Sequence, residues 1–350
     1  MEKSTGSESG FTLLEMIVSM TIFLLVTGMM WGILQVARGG RTTVNQEVEL
    51  SKTLRVAMNL IGRDTYNAGY GYPLKSAVVL PDNRITALVG IPNDFDTTRD
   101  TVPPVLSGNN ITLNTINTTP GTRTDQITFL FKDSTFNPIG APGAAVSAPL
   151  SINAATTNGS GIDEIVPIDG SNSVCRIFDV YVINGNTGST LGMATGLSGT
   201  NKIQFANGDP LNLNLTGSTG PLRGITVPAS LHRVNMVTYF VAADGTLTRR
   251  KYGNNQTIPA VPFIDEPLVY NVEDFQIQYV MDDGSVSNNP SAGVDGVSGN
   301  ADDEEAMLQA VRQVRFTISS RSTELAPNRQ PFRATLTSTF STRNLGYDAN

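Results

Sequence analysis

Between residues 11 and 36 a single charge, Glu15, interrupts a run of apolar and small residues. At about 1.5 Å per residue, such a run predicts a helix long enough to cross a hydrocarbon layer, which takes about 20 apolar residues. Further on the period changes. Leu50, Leu54, Ala57 and Ile61 fall at i, i+4, i+7 and i+11, one face of an amphipathic helix, and Glu47, Glu49, Lys52 and Arg55 take the rest. Gly39-Gly40 is expected to loosen this helix, at about 1 kcal/mol per glycine relative to alanine. Gly69 and Gly71-Tyr72-Pro73 are stop signals. The pattern therefore predicts one helix over residues 11–66, about 80 Å long, with residues 11–36 spanning a membrane and the second half packed on a head.

Residues 67–350 read as that head. Their candidate strands are 84–89, 110–113, 126–131 and 174–183, with Ile127, Phe129 and Phe131 alternating as in a half-buried strand. Residues 91–224 are loop-rich: 115–121, 138–149 and 154–161 concentrate Thr, Asn, Ala, Gly and Pro and read as surface loops or poorly ordered segments. The last third is more regular. Residues 233–241 place Val234, Met236, Thr238 and Phe240 on one face, and Asp244-Gly245 turns the chain into 246–252. Residues 273–281 alternate Phe275, Ile277 and Tyr279; residues 310–319 alternate Val314, Phe316 and Ile318; residues 332–341 follow. These five strands are expected to form one antiparallel sheet against the amphipathic half of the helix. The fold class is thus α+β.

Composition narrows the class. Abundant Gly, Asn, Thr, Ser and Pro with few charges read as an exported, β-rich domain. A net charge of −7 argues against a nucleic-acid surface. Cys175 is the only cysteine, so no intramolecular disulfide forms; inside the apolar run 174–183 it reads as a buried small hydrophobe.

Glu15 is the unusual feature. A carboxylate at the centre of a membrane helix costs about 2.5–3.5 kcal/mol on insertion scales, so it calls for a partner. The stretch Gly10-Phe11-Thr12-Leu13-Leu14-Glu15, followed by the uncharged run, resembles the processing site of type IV prepilins. The resemblance implies that residues 1–10 are a leader removed by a prepilin peptidase between Gly10 and Phe11. It also implies that Phe11 becomes N-methylated and that Glu15 pairs with the amino terminus of a neighbouring subunit. The new cation at Phe11 and an anion four residues on can meet on staggered helices. An uncleaved signal anchor would share the apolar span. A secretory signal fits worse, because the span is too long and continues directly into polar helix. The leader departs from the basic leaders of the family, since Glu2, Lys3 and Glu8 leave it without net positive charge, and Arg38 and Arg41 lie on the other flank. A cytoplasmic N-terminus therefore rests on the resemblance.

Residues 54–64, Leu-Arg-Val-Ala-Met-Asn-Leu-Ile-Gly-Arg-Asp, and Ala68-Gly69-Tyr70 resemble the PilW family of minor type IV pilins. So do Leu247-Thr248-Arg249-Arg250 and Thr342-Arg343-Asn344. The resemblance implies a structural subunit stored in the inner membrane as a single-pass protein with a periplasmic head. Assembly at an inner-membrane platform would place it with major and other minor pilins in a priming or tip complex, then on the pilus at the cell surface. Adhesion, motility and DNA uptake are the processes such subunits influence. Two alternatives stand beside this reading: a minor pseudopilin of type II secretion resembling pseudopilin J, and a membrane-anchored exported adhesive domain that enters no filament.

An enzyme reading finds little. His232 is the only histidine, which rules out a multi-histidine metal site, and no Gly-x-Ser-x-Gly elbow accompanies it. Phosphate and dinucleotide loops are missing from the sequence. Binding chemistry concentrates in one acidic stretch, where Asp282, Asp283, Asp295, Asp302, Asp303, Glu304 and Glu305 occur without a base between residues 281 and 305. Asp295, Asn300, Asp302 and Asp303 are candidate calcium ligands in a flexible loop, although their spacing does not match the EF-hand. A solvated hairpin loop is the competing reading.

Overall fold

A computed structural model describes residues 12–73, 78–81, 99–116, 121–139, 146–147, 149–152, 155–157, 162–165, 172–186, 188–214, 225, 227–253, 261–290, 311–325 and 330–345. One helix, Leu13–Asn67, runs without a break through Gly39-Gly40, so the expected loosening does not interrupt it. The helix opens with a capping box: the Glu15 amide donates to Thr12 Oγ1 at 3.3 Å, and Glu15 Oε2 accepts from the Thr12 amide and hydroxyl at 3.0 Å each. Within the apolar half, Thr21 and Thr27 donate their hydroxyls to the carbonyls of Ile17 and Phe23. Their polar groups are thus satisfied within the helix, as a lipid environment requires.

The second half is buried where the period predicts. Leu54, Ala57, Met58 and Ile61 are almost completely covered, and Leu50 packs at the edge of the same cluster. Burial of each large side chain contributes about 1.5–3 kcal/mol. Gly62 lets the helix approach the sheet closely, since a Cβ there would stand 2.4 Å from the Phe340 ring. The helix ends at Asn67. Gly69, at φ +77°, turns the chain and donates its amide to Leu130 O at 2.9 Å, joining the helix end to a strand.

The strands form a ten-stranded sheet, two four-stranded sheets and a two-stranded ribbon among the described residues. The five C-terminal strands do not lie in one sheet, contrary to the sequence expectation. Ala229–Val241 and Leu247–Tyr252 belong to the ten-stranded sheet, whereas Val272–Met281, Val311–Leu325 and Pro331–Ser341 form a separate antiparallel sheet with Val286–Ser287. An alternating pattern marks which face a strand buries, not which strand it pairs with. The expected turn is present: Asp244 Oδ1 accepts the Thr246 amide at 2.9 Å, and Val241 pairs with Leu247.

Ala229–Val241 is the centre of the large sheet and pairs with Arg123–Lys132, Leu150–Ile152, Val180–Gly185 and Leu247–Tyr252. Almost all pairings are antiparallel; Val78–Pro81 against Gly188–Met193 is parallel. The half-buried reading of residues 126–131 is corrected, because that strand is covered on both faces, as is its neighbour Ala229–Val241 over residues 236–239. Ile127, Phe129, Phe131, Val237, Tyr239 and Val241 join the core that holds the helix and the three-strand stack of Phe275, Phe316 and their neighbours. Leu130, Val234 and Met236 enter a second core with Val180, Val182 and Leu191. A third cluster surrounds Phe136, Tyr181 and Phe205.

The loop-rich region is more structured than expected. Pro138–Ile139 pairs with Val146–Ser147, and Ala155–Thr157 pairs with Ile162–Ile165. Residues 172–174 form a 3-10 turn before the strand Val180–Gly185, so only the end of the expected strand 174–183 is extended. The candidate strand 84–89 lies outside the described residues. At the far end, Asn344 Nδ2 donates to Tyr66 O at 2.9 Å, Arg343 donates to the Tyr66 hydroxyl, and Leu345 is buried in the helix core.

Candidate functional site: the bare helix and its anchor on the head

The first half of the helix is left uncovered by the described residues. Its most apolar 18-residue window has a mean hydropathy of 2.1 and none of it is buried, which is long and apolar enough to cross a membrane. From Leu13 to Val36 every large apolar side chain is exposed. A bare stripe of this size needs lipid or other helices around it. Glu15 sits at its start and finds a local partner that the sequence reading did not foresee, the N-cap Thr12. The positive end of the helix dipole favours a carboxylate at this position. Gly10 and Phe11 lie outside the described residues, as do Asp295, Asn300, Asp302 and Asp303.

The neighbouring acids Asp282 and Asp283 are described and serve the hairpin. Asp283 Oδ1 accepts the Ser285 amide at 2.8 Å, and Asp282 stands 3.6 Å from the Arg312 guanidinium.

The anchor is built around Asp64. Its carboxylate is 1% exposed, and its Oδ2 accepts from Tyr239 Oη at 2.7 Å and from Arg249 Nε at 2.8 Å. Arg249 Nη1 donates to Glu266 Oε2 at 2.8 Å, and the exposed Arg63 covers Asp64 Oδ1 at 3.3 Å. Burial works against the charge on Arg249, but the Asp64 carboxylate outweighs it and raises the guanidinium pKa further. Burial, then the Asp64 charge, pushes the Tyr239 phenol up, so it stays a donor. Two sequence motifs singled out separately, residues 54–64 and Leu247-Thr248-Arg249-Arg250, thus meet at one site. The signal was available: Asp64 follows Ile61 by three residues on the buried stripe, where an acid requires a partner.

A second buried acid joins the sheets. Asp125 Oδ1 accepts the Asn110 amide at 2.9 Å, and its Oδ2 accepts the Ile277 amide of the four-stranded sheet at 2.7 Å. Burial, with repulsion from Asp274, raises its pKa to about 6 despite those bonds.

His232 is half-buried on the central strand. Burial and the nearby positive Lys132 lower its pKa to about 4, and its Nδ1 has no hydrogen-bond partner among the described residues. Cys175 is buried as expected, and burial pushes its thiol up to about 11.

The prokaryotic N-terminal methylation motif matches residues 6–31. The match covers the capping box with Glu15 and most of the bare apolar helix. It marks the chain as type IV pilin-like, a class that includes the pseudopilins, and implies processing by a prepilin peptidase. No match to the chain is found among curated proteins.

Proposed function

We propose that the chain is a minor type IV pilin resembling the PilW family, a structural subunit and not an enzyme. The observation that carries this reading is a methylation motif at residues 6–31 laid over a helix whose first half is bare and whose second half is locked to a folded head. In the inner membrane, lipid covers residues 13–36. Cleavage after Gly10 frees an amine at Phe11. In the filament, packing against other helices replaces the lipid, and Glu15 leaves its own N-cap to meet the amine of a neighbour. That exchange sets the axial register, because a charged pair in an apolar surrounding tolerates little displacement.

The test is the mass of the mature N-terminus, followed by Glu15→Ala. Loss of residues 1–10, a methylated Phe11, and a Glu15→Ala chain missing from sheared filaments are expected. A purified chain that retains Met1–Gly10 would sink the proposal. A minor pseudopilin shares this assembly physics; loss of protein secretion on deletion, with pili intact, would favour it.

A further inference from the structure

On passing from Arg233 to Met236 the central strand changes neighbour: Tyr181 pairs with Arg233, and Tyr252 pairs with Met236. A recess of about 220 Å³ opens at this handover, with Asp133, Asp179 and Arg233 in its wall and Arg176, Asn235 and Lys251 around it. Pockets for drug-sized ligands run to about 300–1,000 Å³, so this one admits a single small ring.

The wall is rigid. Arg233 Nε donates to Asp133 Oδ2 at 2.8 Å and Arg233 Nη1 to Asp179 Oδ2 at 3.1 Å, and both acids are buried. Asp133 Oδ1 also accepts the Thr135 amide and hydroxyl at 2.8 and 2.7 Å. The Arg233 guanidinium lies over the Phe136 ring, 5.4 Å from its centre. Burial opposes the Asp133 charge, but the Thr135 bonds and Arg233 hold its pKa below the usual carboxylate range. Stability alone accounts poorly for such a triad, since well-packed apolar residues replace buried ion pairs at little or no cost.

By contrast, the side chains of Arg176, Asn235 and Lys251 make no hydrogen bond or ion pair with any described residue. Three cations, Arg176, Arg233 and Lys251, therefore face two carboxylates, which leaves one positive charge. Fixed carboxylate oxygens accept ligand hydroxyls, and the unengaged donors at the rim suit a ligand carboxylate. A bare anion such as sulfate satisfies the donors but meets the repulsion of Asp133 and Asp179. A neutral sugar suits the acids but leaves the extra charge unanswered.

We propose that this recess binds one carboxylate-bearing sugar unit, a hexuronate. The idea is independent of filament assembly, because an anchored head that enters no filament would carry the same recess.

The test is calorimetric titration of the full-length chain in detergent micelles with glucuronate, glucose and sodium sulfate. Saturable glucuronate binding is expected, with glucose and sulfate each weaker by about tenfold, the difference one charge-assisted hydrogen bond makes. Arg176→Gln and Lys251→Gln should each weaken glucuronate binding by a similar factor without changing the melting temperature. No saturable glucuronate heat overturns the proposal. Glucose binding equal to glucuronate overturns the acidic sugar, and sulfate binding as tight as glucuronate reduces the recess to an anion site and overturns the sugar altogether. The wild-type titrations decide the matter even if a variant folds poorly.

Discussion

Asp64 and Arg249 lie 185 residues apart in the chain, yet their side chains meet at 2.8 Å in the core between helix and sheet. The helix supplies the acid, the Leu247–Tyr252 strand supplies the guanidinium, and Tyr239 donates to the same carboxylate oxygen. The pair fixes the rotation and depth at which the helix seats on the head, because apolar contacts alone are not directional.

Asp64→Ala therefore takes the buried carboxylate from Arg249, which keeps only the half-exposed Glu266 as an acid partner, and should cost about 3–5 kcal/mol. Arg249→Met alone should also destabilise, by leaving the buried Asp64 carboxylate with only Tyr239 and the exposed Arg63. The double variant Asp64→Leu with Arg249→Met should recover most of the loss. Denaturant midpoints of the four chains in micelles form the cycle; additive losses would contradict a direct pair.

Gly62 faces the ring of Phe340. Gly62→Ala should cost about 1–3 kcal/mol through overpacking. Adding Phe340→Leu should relieve part of this, whereas Phe340→Leu on its own should only destabilise. A Gly62→Ala chain that melts like the wild type would show that the helix shifts freely at this contact.

Two groups give opposite pH trends. His232 takes up its proton near pH 4 in the folded chain and near the ordinary pH 6.5 when unfolded, so its contribution to stability is lost as pH falls through that window. Asp125 holds its proton up to about pH 6 when folded but releases it near the ordinary 3.8 when unfolded, so stability falls as pH rises between those values. The two partly cancel in the wild type. His232→Leu should make the melting temperature climb as pH drops from 6.5 to 4, relative to wild type. Profiles of this variant and the wild type that run parallel would remove His232 from the account.

Gly39 and Gly40 sit inside a continuous helix, and a Cβ on Gly40 would meet no other group among the described residues. Replacing both with alanine should slow amide exchange across residues 36–44, by up to about 1 kcal/mol per site. Unchanged exchange would mean that the break expected from the glycines has no counterpart in propensity.

Much of this was legible because period reports burial. Leu54, Ala57 and Ile61 are covered as their spacing implies, and Phe275, Ile277 and Tyr279 face the core as their alternation implies. Pairing was not legible in the same way. Residues 233–241 and 273–281 carry the same kind of pattern but lie in different sheets. Coverage of both faces of 126–131 was hidden because Thr128 fills a buried position, its hydroxyl 2.6 Å from that of Thr238. The anchor was half legible: Asp64 stands out on an apolar stripe, but nothing local announces Arg249 as its partner. Thr12 as the local acceptor and donor for Glu15 follows the Thr-x-x-Glu spacing, which was in view but eclipsed by the membrane run.

Tyr66, near the end of the helix, is held by Arg343 and Asn344, while two residues past the helix end Gly69 is stitched to Leu130. The rod is therefore clasped from two directions where it enters the head. Traction along the rod must shear several of these bonds together instead of opening them singly, like a rope spliced rather than knotted. Under the proposed filament role, pulling on the helix would then never ask its weakest link to hold alone.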